Sequence, residues 1–432
     1  DRGPVVLDLD IISPAGDDTQ SEYGVQSLTV HPDFATNGWI YIRYDKSLTA
    51  ETDTPQSEVV LGPNFTASDP TTNVIERYVW NPAANDGDGA LVFDQQIYAV
   101  TFNTRYHHGG PSRFGPDGML YTVFGELRRQ NFVTGHPGEL LTMNVATGLI
   151  ESLGVITRLN DDGSIPADNI FDPMTPGVPP LAAAWHAYGI RNSFGLAFDP
   201  ATGSLWDTEN GEFTFDEVNL IAPGFNSGWR RLMGPTDHPM QTGSTAALVN
   251  IPGSSYSEPE FTWLDTIGVT ALHFAHGSYL GPAFDDLVLF GAFNHGFVWA
   301  MRLNAARDGF TFLSPDLQDL VDDRTNTQSD PVGTEAEELL FGRDFGGFQS
   351  GVIAIERGLD SRIYLLTGAG RLYRLERRCA ADIDGDGAVG AADLAALLGG
   401  WGQPGPADLD GDGTVTASDL GGLLGAWGPC PQ

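Results

Sequence analysis

The sequence predicts an all-β propeller followed by a small α-helical module made of two loop-helix segments. Three observations predict this fold class: short strand-like runs between turns, a turn-strand pattern that recurs at a long and nearly constant spacing, and a duplicated acidic segment near the C-terminus. The 432 residues leave room for roughly two to four domains. We place the propeller at residues 1–378 and the α-helical module at residues 379–432.

The strand-like runs come first along the chain. Segments rich in β-branched and aromatic residues alternate with Gly, Pro, Asp and Asn turns, as in WIYIRY at 39–44 and RIYLLTG at 362–368. Five copies of a turn-strand pattern can be recognised, and such repetition predicts a propeller whose blades carry insertions. A large β-sandwich with coincidental turns is the alternative. The prolines of the first four copies, spaced 84, 84 and 82 residues apart, are Pro32, Pro116, Pro200 and Pro282.

The C-terminal segment contains one sequence twice, in a register of 26 residues. DIDGDGAVGAADLAALLGGWG is followed by DLDGDGTVTASDLGGLLGAWG, and Gly387 and Gly413 stand at loop position six, where an EF-hand-type loop turns sharply. Oxygen ligands at alternate positions converge on one hard cation, so each copy predicts a calcium loop with a helix after it. An acidic low-complexity tail is the alternative. The predicted ligands are Asp382, Asp384, Asp386, Asp393, Asp408, Asp410, Asp412 and Asp419.

This tail resembles a type I dockerin module, which also consists of two calcium loop-helix segments in tandem. The resemblance implies a cohesin-like or cell-surface partner that binds through the helices. Cys379 and Cys430 bracket the duplicated unit, and we expect a disulfide between them that brings its two ends together. A loop of that length contributes roughly 4 kcal/mol in the chain-entropy model. A disulfide and calcium together indicate an oxidising environment outside the cell.

Charge and composition exclude several classes of protein. The net charge of -35 excludes a non-specific nucleic-acid binder, because such binding depends on basic side chains that neutralise phosphates. Hydrophobic residues make up 41% of the chain, which excludes an acidic disordered protein. No run of about 18 apolar residues occurs, so we expect no membrane-spanning helix. The first residues have neither a basic start nor an apolar core, so we expect a secreted protein whose signal peptide has been removed.

Two polar clusters of the large domain suit catalysis. His107 and His108 come just before the glycine pair at 109–110, and a backbone that bends there leaves a histidine ring facing a cavity as a general base. A structural histidine pair is the alternative. Farther along the chain, Arg191 and Asn192 lie on a predicted loop that leads into a strand.

A third polar cluster suits calcium. Carboxylates and bent backbone carbonyls are the oxygen ligands that calcium prefers, and four acids gather around a glycine in WDTENGEFTFDEVNLI. Solvated loop acids are the alternative. The residues of this cluster are Glu209, Gly211, Glu212, Asp216 and Glu217.

Taken in order, HPDF, HHGG, FGPDGMLY, YGIRNSFGLAFDP, ENGE and GFNSGW resemble the glucose/sorbosone dehydrogenase family. That family includes the soluble sugar dehydrogenases that depend on pyrroloquinoline quinone (PQQ). The resemblance is strongest over residues 24–229. It implies a six-bladed β-propeller with the quinone on its top face near the central axis, and an oxidoreductase that takes a small-molecule sugar.

The resemblance also implies a role for each matching residue. His107 would remove the proton of the anomeric hydroxyl while a hydride passes to the quinone, and Arg191 would stabilise the negative charge that develops. The implied cofactor contacts are Glu22, His108, Asn192 and Asn294. The backbone carbonyls of Gly211 and Glu212 match ligands of a calcium that bridges protein and quinone. Asp216 and Glu217 match ligands of a second, structural calcium.

One departure from the family pattern concerns the cofactor's carboxylates. Where the family places a lysine and two arginines that clamp them, this sequence has Asn294, Phe348 and Ser350. Each charge-assisted hydrogen bond contributes roughly 1.5 to 3 kcal/mol, so the loss of three cations weakens quinone binding. An alternative function is therefore a catalytically silent extracellular propeller, a binding or structural component that is displayed through the dockerin-like tail. A metal-dependent lactonase or phosphatase propeller is a third and weaker alternative.

Overall fold

The computed structural model describes most of the chain and divides it into two compact units, Asp1–Tyr373 and Arg374–Gln432. Its described part consists mostly of β-strands with few helices, as the sequence predicts. No helix within it is long and apolar enough to cross a bilayer. The described residues are 7, 12–13, 22–47, 59–60, 71–102, 106–126, 152–294, 296–312, 314–323, 339–341, 351–375, 379–384, 386–409 and 413–430.

The first sheet of the large unit is an antiparallel meander of four strands, β2, β3, β5 and β6, while β1 and β4 pair separately in parallel. Its second strand is the WIYIRY run, in which Tyr41, Ile42 and Tyr44 are all buried. Runs of this kind are buried on both faces. The elements of this segment are β1 (Ile12–Ser13), β2 (Val25–Val30), α1 (Phe34–Asn37), β3 (Trp39–Ser47), β4 (Val59–Val60), β5 (Thr71–Asn81) and β6 (Ala90–Phe102).

The second and third sheets follow in the chain. The strands of these sheets are β7 (Ser112–Phe114), β8 (Leu120–Phe124), β9 (Val155–Leu159), β10 (Trp185–Tyr188), β11 (Ser193–Phe198), β12 (Leu205–Glu209), β13 (Thr214–Ile221), β14 (Phe225–Asn226), β15 (Ser255–Tyr256) and β16 (Phe261–Asp265). Strands β7 to β10 form the second sheet, which β14 and β15 extend in parallel at its outer edge. Strands β11, β12, β13 and β16 form the third sheet.

The remaining strands of the large unit are β17 (Val269–Phe274), β18 (Leu287–Ala292), β19 (Val298–Leu303), β20 (Phe310–Thr311), β21 (Val321–Asp322), β22 (Leu339–Phe341), β23 (Val352–Arg357), β24 (Ile363–Thr367) and β25 (Leu372–Leu375). The fourth sheet contains β17 to β20 with β22 beside β19, and the fifth contains β23 to β25. Strand β21 adds to the third sheet in parallel. Short 3-10 turns lie at Asn85–Gly87, Pro180–Ala184, Thr245–Ala247, Pro282–Phe284 and Pro315–Leu317.

Neighbouring sheets are joined by hydrogen bonds near their first strands, an arrangement typical of a propeller. The Thr29 hydroxyl of β2 donates to the Ser112 carbonyl of β7 over 2.8 Å, and Thr270 of β17 donates to the Val352 carbonyl of β23. Large aromatic side chains such as Trp185 and Trp263 are fully buried in the cores. The described residues form five sheets of three or more strands, the number of repeats found in the sequence. A sixth blade remains a prediction.

The C-terminal unit contains the two helices that the duplicated sequence predicts, each directly after an acidic loop. Its small core includes Leu397 and Leu423, which are both fully buried. The predicted disulfide between Cys379 and Cys430 is confirmed, with a Cα–Cα distance of 5.8 Å. The elements of this unit are β26 (Ala388–Val389), α2 (Ala391–Gly399), α3 (Ala417–Gly425) and β27 (Gly428–Pro429), and β26 pairs with β27.

Candidate active site

The histidine loop between the first two sheets has the bend that its sequence predicts. His107 adopts a left-handed backbone conformation with φ of 60°, which is strained for a residue with a side chain. The two glycines after it allow a close approach. A Cβ atom on Gly109 would lie 2.7 Å from the Gly125 nitrogen, and one on Gly110 would lie 2.6 Å from the Phe194 Cα. The surrounding backbone therefore holds His107 in its strained conformation.

Two charged side chains contact the ring of His107, one at each nitrogen. Glu126 Oε1 lies 2.5 Å from Nδ1, and Arg191 Nη2 lies 3.4 Å from Nε2. A guanidinium can only donate, so Nε2 must be the acceptor, and the proton of a neutral ring is on Nδ1, where it is donated to Glu126. The hydrogen-bond partners thus assign the tautomer. In this tautomer, Nε2 has the lone pair that a general base needs.

Arg191 is fixed from several sides. Its Nη1 donates to the Asn210 carbonyl over 2.7 Å, its backbone N–H donates to Glu209 Oε1 over 2.6 Å, and its guanidinium lies 5.3 Å from the centre of the Trp229 ring. Burial lowers the pKa of Arg191, while the charges of nearby acids, Glu126 first among them, oppose that shift. Its Nε is buried and has no hydrogen-bond partner among the described residues.

Glu22 and Asn192 both contact the histidine loop. Asn192 Oδ1 accepts from the Gly109 N–H over 3.1 Å, Asn192 Nδ2 donates to Glu22 Oε1 over 3.3 Å, and Glu22 Oε2 accepts from the His108 N–H over 2.7 Å. The His108 ring points into the protein interior. Its Nδ1 lies 3.0 Å from Asp45 Oδ2, and both side chains are 0% exposed. This side chain has no accessible surface and supports the loop, and the cofactor contact of His108 that the resemblance implies stays a prediction.

Asn294 begins the turn after β18, and its neutral side chain stands where the resemblance implies a cation. Its Nδ2 donates to the Thr266 carbonyl over 3.3 Å, and its amide group packs against Gly268. The Asn294 side chain is a neutral amide and does not replace the charge of that cation. Phe348 and Ser350, the other two predicted departures, lie outside the described residues.

The acidic cluster around Gly211 is divided by the pleat of the third sheet. Asp216 Oδ1 accepts from the Gly211 N–H over 2.9 Å, and Asp216 Oδ2 accepts from the N–H groups of Gly268 and Val269 over 2.8 and 3.1 Å. Burial raises the pKa of Asp216 to about 6, although these three donors oppose the shift. With both oxygens occupied by backbone donors, Asp216 braces the Gly211 turn against the fourth sheet. A carboxylate has about four lone-pair sites, so its expected role as a calcium ligand stays a prediction.

Glu217 lies on the opposite face of β13 from Asp216, and its direct cross-strand neighbour is Glu209 of β12. Both are buried, and burial raises the pKa of each, that of Glu209 to about 8. Two buried carboxylates side by side disfavour the form in which both are charged. The Glu217 carboxylate also accepts from the Gly234 N–H. Glu212, by contrast, is exposed.

Sequence reasoning missed Glu126, the partner of the predicted base. It lies two residues after β8 and so stands just beyond the end of a strand, next to the histidine loop, where side chains project into a site. The signal was present in MLYTVFGE, because a carboxylate comes right after a buried strand.

The first tail loop has the backbone pattern of a calcium loop. Asp382 accepts from the N–H groups of Asp386 and Gly387 over 3.1 and 2.9 Å. Carboxylate oxygens of Asp382, Asp384 and Asp393 lie within 4.8 Å of one another. Three converging carboxylates are a donor set that suits a hard cation.

The second tail loop repeats the glycine contact of the first and also holds its position-twelve carboxylate. Asp408 accepts from the Gly413 N–H over 2.8 Å, and Asp419 accepts from the Leu409 N–H over 2.6 Å. Two of its predicted ligands, Asp410 and Asp412, lie outside the described residues.

Comparison with known proteins gives one family match and several relatives. The model of the family described as Glucose / Sorbosone dehydrogenase matches residues 12–374. Quinoprotein glucose dehydrogenase B of Acinetobacter calcoaceticus is 29% identical over 227 residues, which cover 51% of this chain and 42% of that protein. Aldose sugar dehydrogenase YliI of Escherichia coli (strain K12) is 29% identical over 224 residues, with 50% and 52% covered. Hedgehog-interacting protein of Mus musculus is 31% identical over 163 residues, with 36% and 21% covered. The chain spans about half the length, or less, of these curated relatives.

Solved structures show the same fold at lower sequence identity. A glucose dehydrogenase crystal structure has a TM-score of 0.57 and 22% identity, and the match covers 83% of this chain and 84% of that one. The PQQ-bound form of aldose sugar dehydrogenase from Streptomyces coelicolor has a TM-score of 0.53 and 19% identity, with 85% and 82% covered. These likenesses show the fold of the large unit.

Proposed function

The chain belongs to the glucose/sorbosone dehydrogenase family, and from that premise we propose that it is a secreted sugar dehydrogenase that oxidises the anomeric hydroxyl of an aldose with PQQ and calcium. One observation carries the proposal. His107 Nε2 has its lone pair beside the guanidinium of Arg191, while Glu126 accepts a hydrogen bond from Nδ1–H. A base, a fixed cation and a carboxylate that orients the base are the parts that proton abstraction from a hydroxyl needs.

Each of the three side chains has a separate role in the proposed reaction. His107 Nε2 takes the proton of the sugar hydroxyl, and the Glu126 carboxylate stabilises the imidazolium that forms through a charge-assisted hydrogen bond at Nδ1. Arg191 holds a positive charge 3.4 Å from Nε2, which favours the anionic form of an oxygen bound beside it. Partial burial of His107 and Glu126 keeps water from screening these charges. When bound, the quinone supplies the acceptor for the hydride.

The donors around His107 fit such a cofactor in part. The buried Nε of Arg191 leaves one donor for an acceptor atom of a ligand. Arg191 and Asn192 would hold the quinone, and the carbonyls of Gly211 and Glu212 would hold its calcium. The neutral Asn294 adds no charge at the position where the family has a cation, so we expect weaker PQQ binding than in its relatives.

Dye reduction tests the proposal. The full chain is incubated with PQQ and calcium, and reduction of an electron-accepting dye is followed across a panel of aldoses. We expect at least one aldose to reduce the dye and His107→Ala to abolish the reaction. Isothermal titration with PQQ is run on the same samples. Bound PQQ together with no dye reduction by any aldose would overturn the proposal.

A second candidate function is a catalytically silent extracellular propeller that binds a partner or serves as a structural component. Two observations favour it: the neutral Asn294 and the similarity to Hedgehog-interacting protein. This function predicts no heat of PQQ binding in the presence of calcium. The two candidates therefore differ in one titration, before any substrate is chosen.

For the tail, we propose a dockerin-like module that binds calcium and displays the large unit to a cohesin-like or cell-surface partner. The converging carboxylates of Asp382, Asp384 and Asp393 and the confirmed disulfide support it. Calorimetry with calcium and Asp382→Asn tests the metal site, and an unchanged heat of binding in this variant would contradict the assignment of the first loop.

A further inference from the structure

Arg43 is a charged side chain buried deep beneath the histidine loop, and the sequence gives no hint of its role. It lies on β3 of the first sheet and is 1% exposed. Its guanidinium lies 4.4 Å from the centre of the Phe124 ring. A buried cation of this kind needs hydrogen-bond acceptors to offset the loss of water.

The acceptors of Arg43 are mostly backbone carbonyls of the active-site segments. Nη2 donates to the His108 carbonyl over 2.5 Å, and Nη1 donates to the Gly110 carbonyl over 2.6 Å and to the Val123 carbonyl. Nε donates to Asn73 Oδ1 over 2.6 Å. One planar group thus joins the loop that carries His107 to the strand that leads to Glu126.

Two carboxylates keep the positive charge of Arg43 in place. Burial lowers the pKa of Arg43 to about 9, and the charges of Asp45 and Glu22 oppose this shift. The same two acids contact the loop directly, since Asp45 binds the His108 ring and Glu22 accepts from the His108 N–H. Both carboxylates therefore contact His108, Asp45 at its ring and Glu22 at its backbone N–H.

We propose that Arg43 is a positioning residue for His107. By binding the carbonyls on either side of Gly109, it holds the loop so that His107 keeps its left-handed conformation and presents Nε2 to Arg191. Without these bonds the strained backbone relaxes and the ring loses its alignment between Glu126 and Arg191. Arg43 does not touch the substrate. The consequence for turnover rests on the proposed function, whereas the position of the His107 ring does not.

Lysine at position 43 keeps the charge but loses the planar fork, so Arg43→Lys is the informative variant. The matched control is Arg77→Lys, because Arg77 is a buried arginine on the neighbouring strand β5. Its Nε donates to Asp94 Oδ2 over 2.7 Å, and its guanidinium lies 3.9 Å from the Trp39 ring centre, away from the histidine loop. Thermal melts test whether both variants are folded.

The first readout needs neither cofactor nor substrate. Nitrogen NMR of histidine-labelled full chain shows which ring nitrogen carries the proton, and His107→Ala identifies the signal. We expect wild type and Arg77→Lys to show the Nδ1–H tautomer of His107, and Arg43→Lys to lose it. If Arg43→Lys does not fold, Asn73→Ala removes one acceptor of the guanidinium, and a partial loss of this tautomer is expected.

The second readout is steady-state turnover. A misplacement of about 1 Å costs about 100-fold in rate, so we expect kcat of Arg43→Lys to fall by about 100-fold with a smaller change in KM. A folded Arg43 or Asn73 variant that keeps the wild-type tautomer would overturn the proposal, as would an equal change in Arg77→Lys. If the wild type does not turn over aldoses, the proposed function fails while the NMR result still decides the role of Arg43.

Discussion

Glu126→Gln tests how the candidate base is activated. The substitution keeps the size of the side chain and an oxygen that can accept from His107 Nδ1–H, but it removes the negative charge. The neutral ring keeps its tautomer, because the acceptor is still present. The imidazolium that forms after proton transfer loses its charged partner, so the substitution weakens the interaction more after proton transfer than before it.

The structure sets the size of the effect. The side chains of His107 and Glu126 are only 13% and 10% exposed, so water screens their interaction little. A hydrogen bond to a charged group contributes about 1.5 to 3 kcal/mol and a neutral one about 0.5 to 1.5 kcal/mol. The difference of about 1 to 2 kcal/mol corresponds to a factor of about 5 to 30. We therefore expect kcat to fall by about 5- to 30-fold in Glu126→Gln with KM unchanged.

Dye reduction at saturating PQQ and calcium measures kcat and KM, and histidine NMR confirms the tautomer. The matched control is Asp161→Asn, which removes the carboxylate 3.7 Å from His31 Nε2, a histidine-carboxylate pair outside the site. The control should leave both constants unchanged. Wild-type kcat in Glu126→Gln, or a change confined to KM, would show that the carboxylate does not stabilise the imidazolium.

Three further predictions concern stability. Replacement of Cys379 and Cys430 by Ser opens a loop of 51 residues and should destabilise the C-terminal unit by about 4 kcal/mol in the chain-entropy model. Unchanged hydrogen exchange across α2 and α3 would contradict this. Burial raises the pKa of Glu260 from 4.5 to about 8, so the folded state keeps a proton that the unfolded chain releases. This contribution to the free energy of unfolding is lost as the pH rises through about 8. Glu260→Gln keeps an acceptor for the Leu220 N–H and should flatten that decline in urea titrations at pH 5 and 8; an equal decline in the variant would refute the assignment. Calcium should slow hydrogen exchange in both tail helices, and Asp382→Asn should remove this protection from α2 while α3 keeps it. If calcium protects α2 equally in this variant, the first calcium site is refuted.

The sequence predicts the local structures that depend only on residues nearby in the chain. The WIYIRY run forms β3, and the acidic loops lead into α2 and α3, because strand alternation, turn chemistry and helix starts are read within about a dozen residues. The same holds for Asp382 and Gly387, whose contact lies inside one loop. The disulfide was predictable because the two cysteines bracket the duplicated unit.

The candidate site was predictable only in part. His107, Arg191 and Asn192 lie together as expected, but the sequence does not show that Glu126, which follows β8, and Arg43, which lies on β3, meet the histidine loop. The burial of the His108 side chain was also not predictable. The His108 ring points into the core toward Asp45, and a sequence pattern does not show on which side of a loop a ring lies.

By itself the sequence determined the mostly β architecture, the duplicated acidic loops with their helices, the disulfide and the family. Only the tertiary structure decided which groups surround His107. The guanidinium of Arg191 and the carboxylate of Glu126 reach one imidazole from segments 84 and 19 residues away. The physical reason is that local conformation follows from nearby residues, whereas a tautomer or the position of a base follows from groups that meet only when separate sheets pack together.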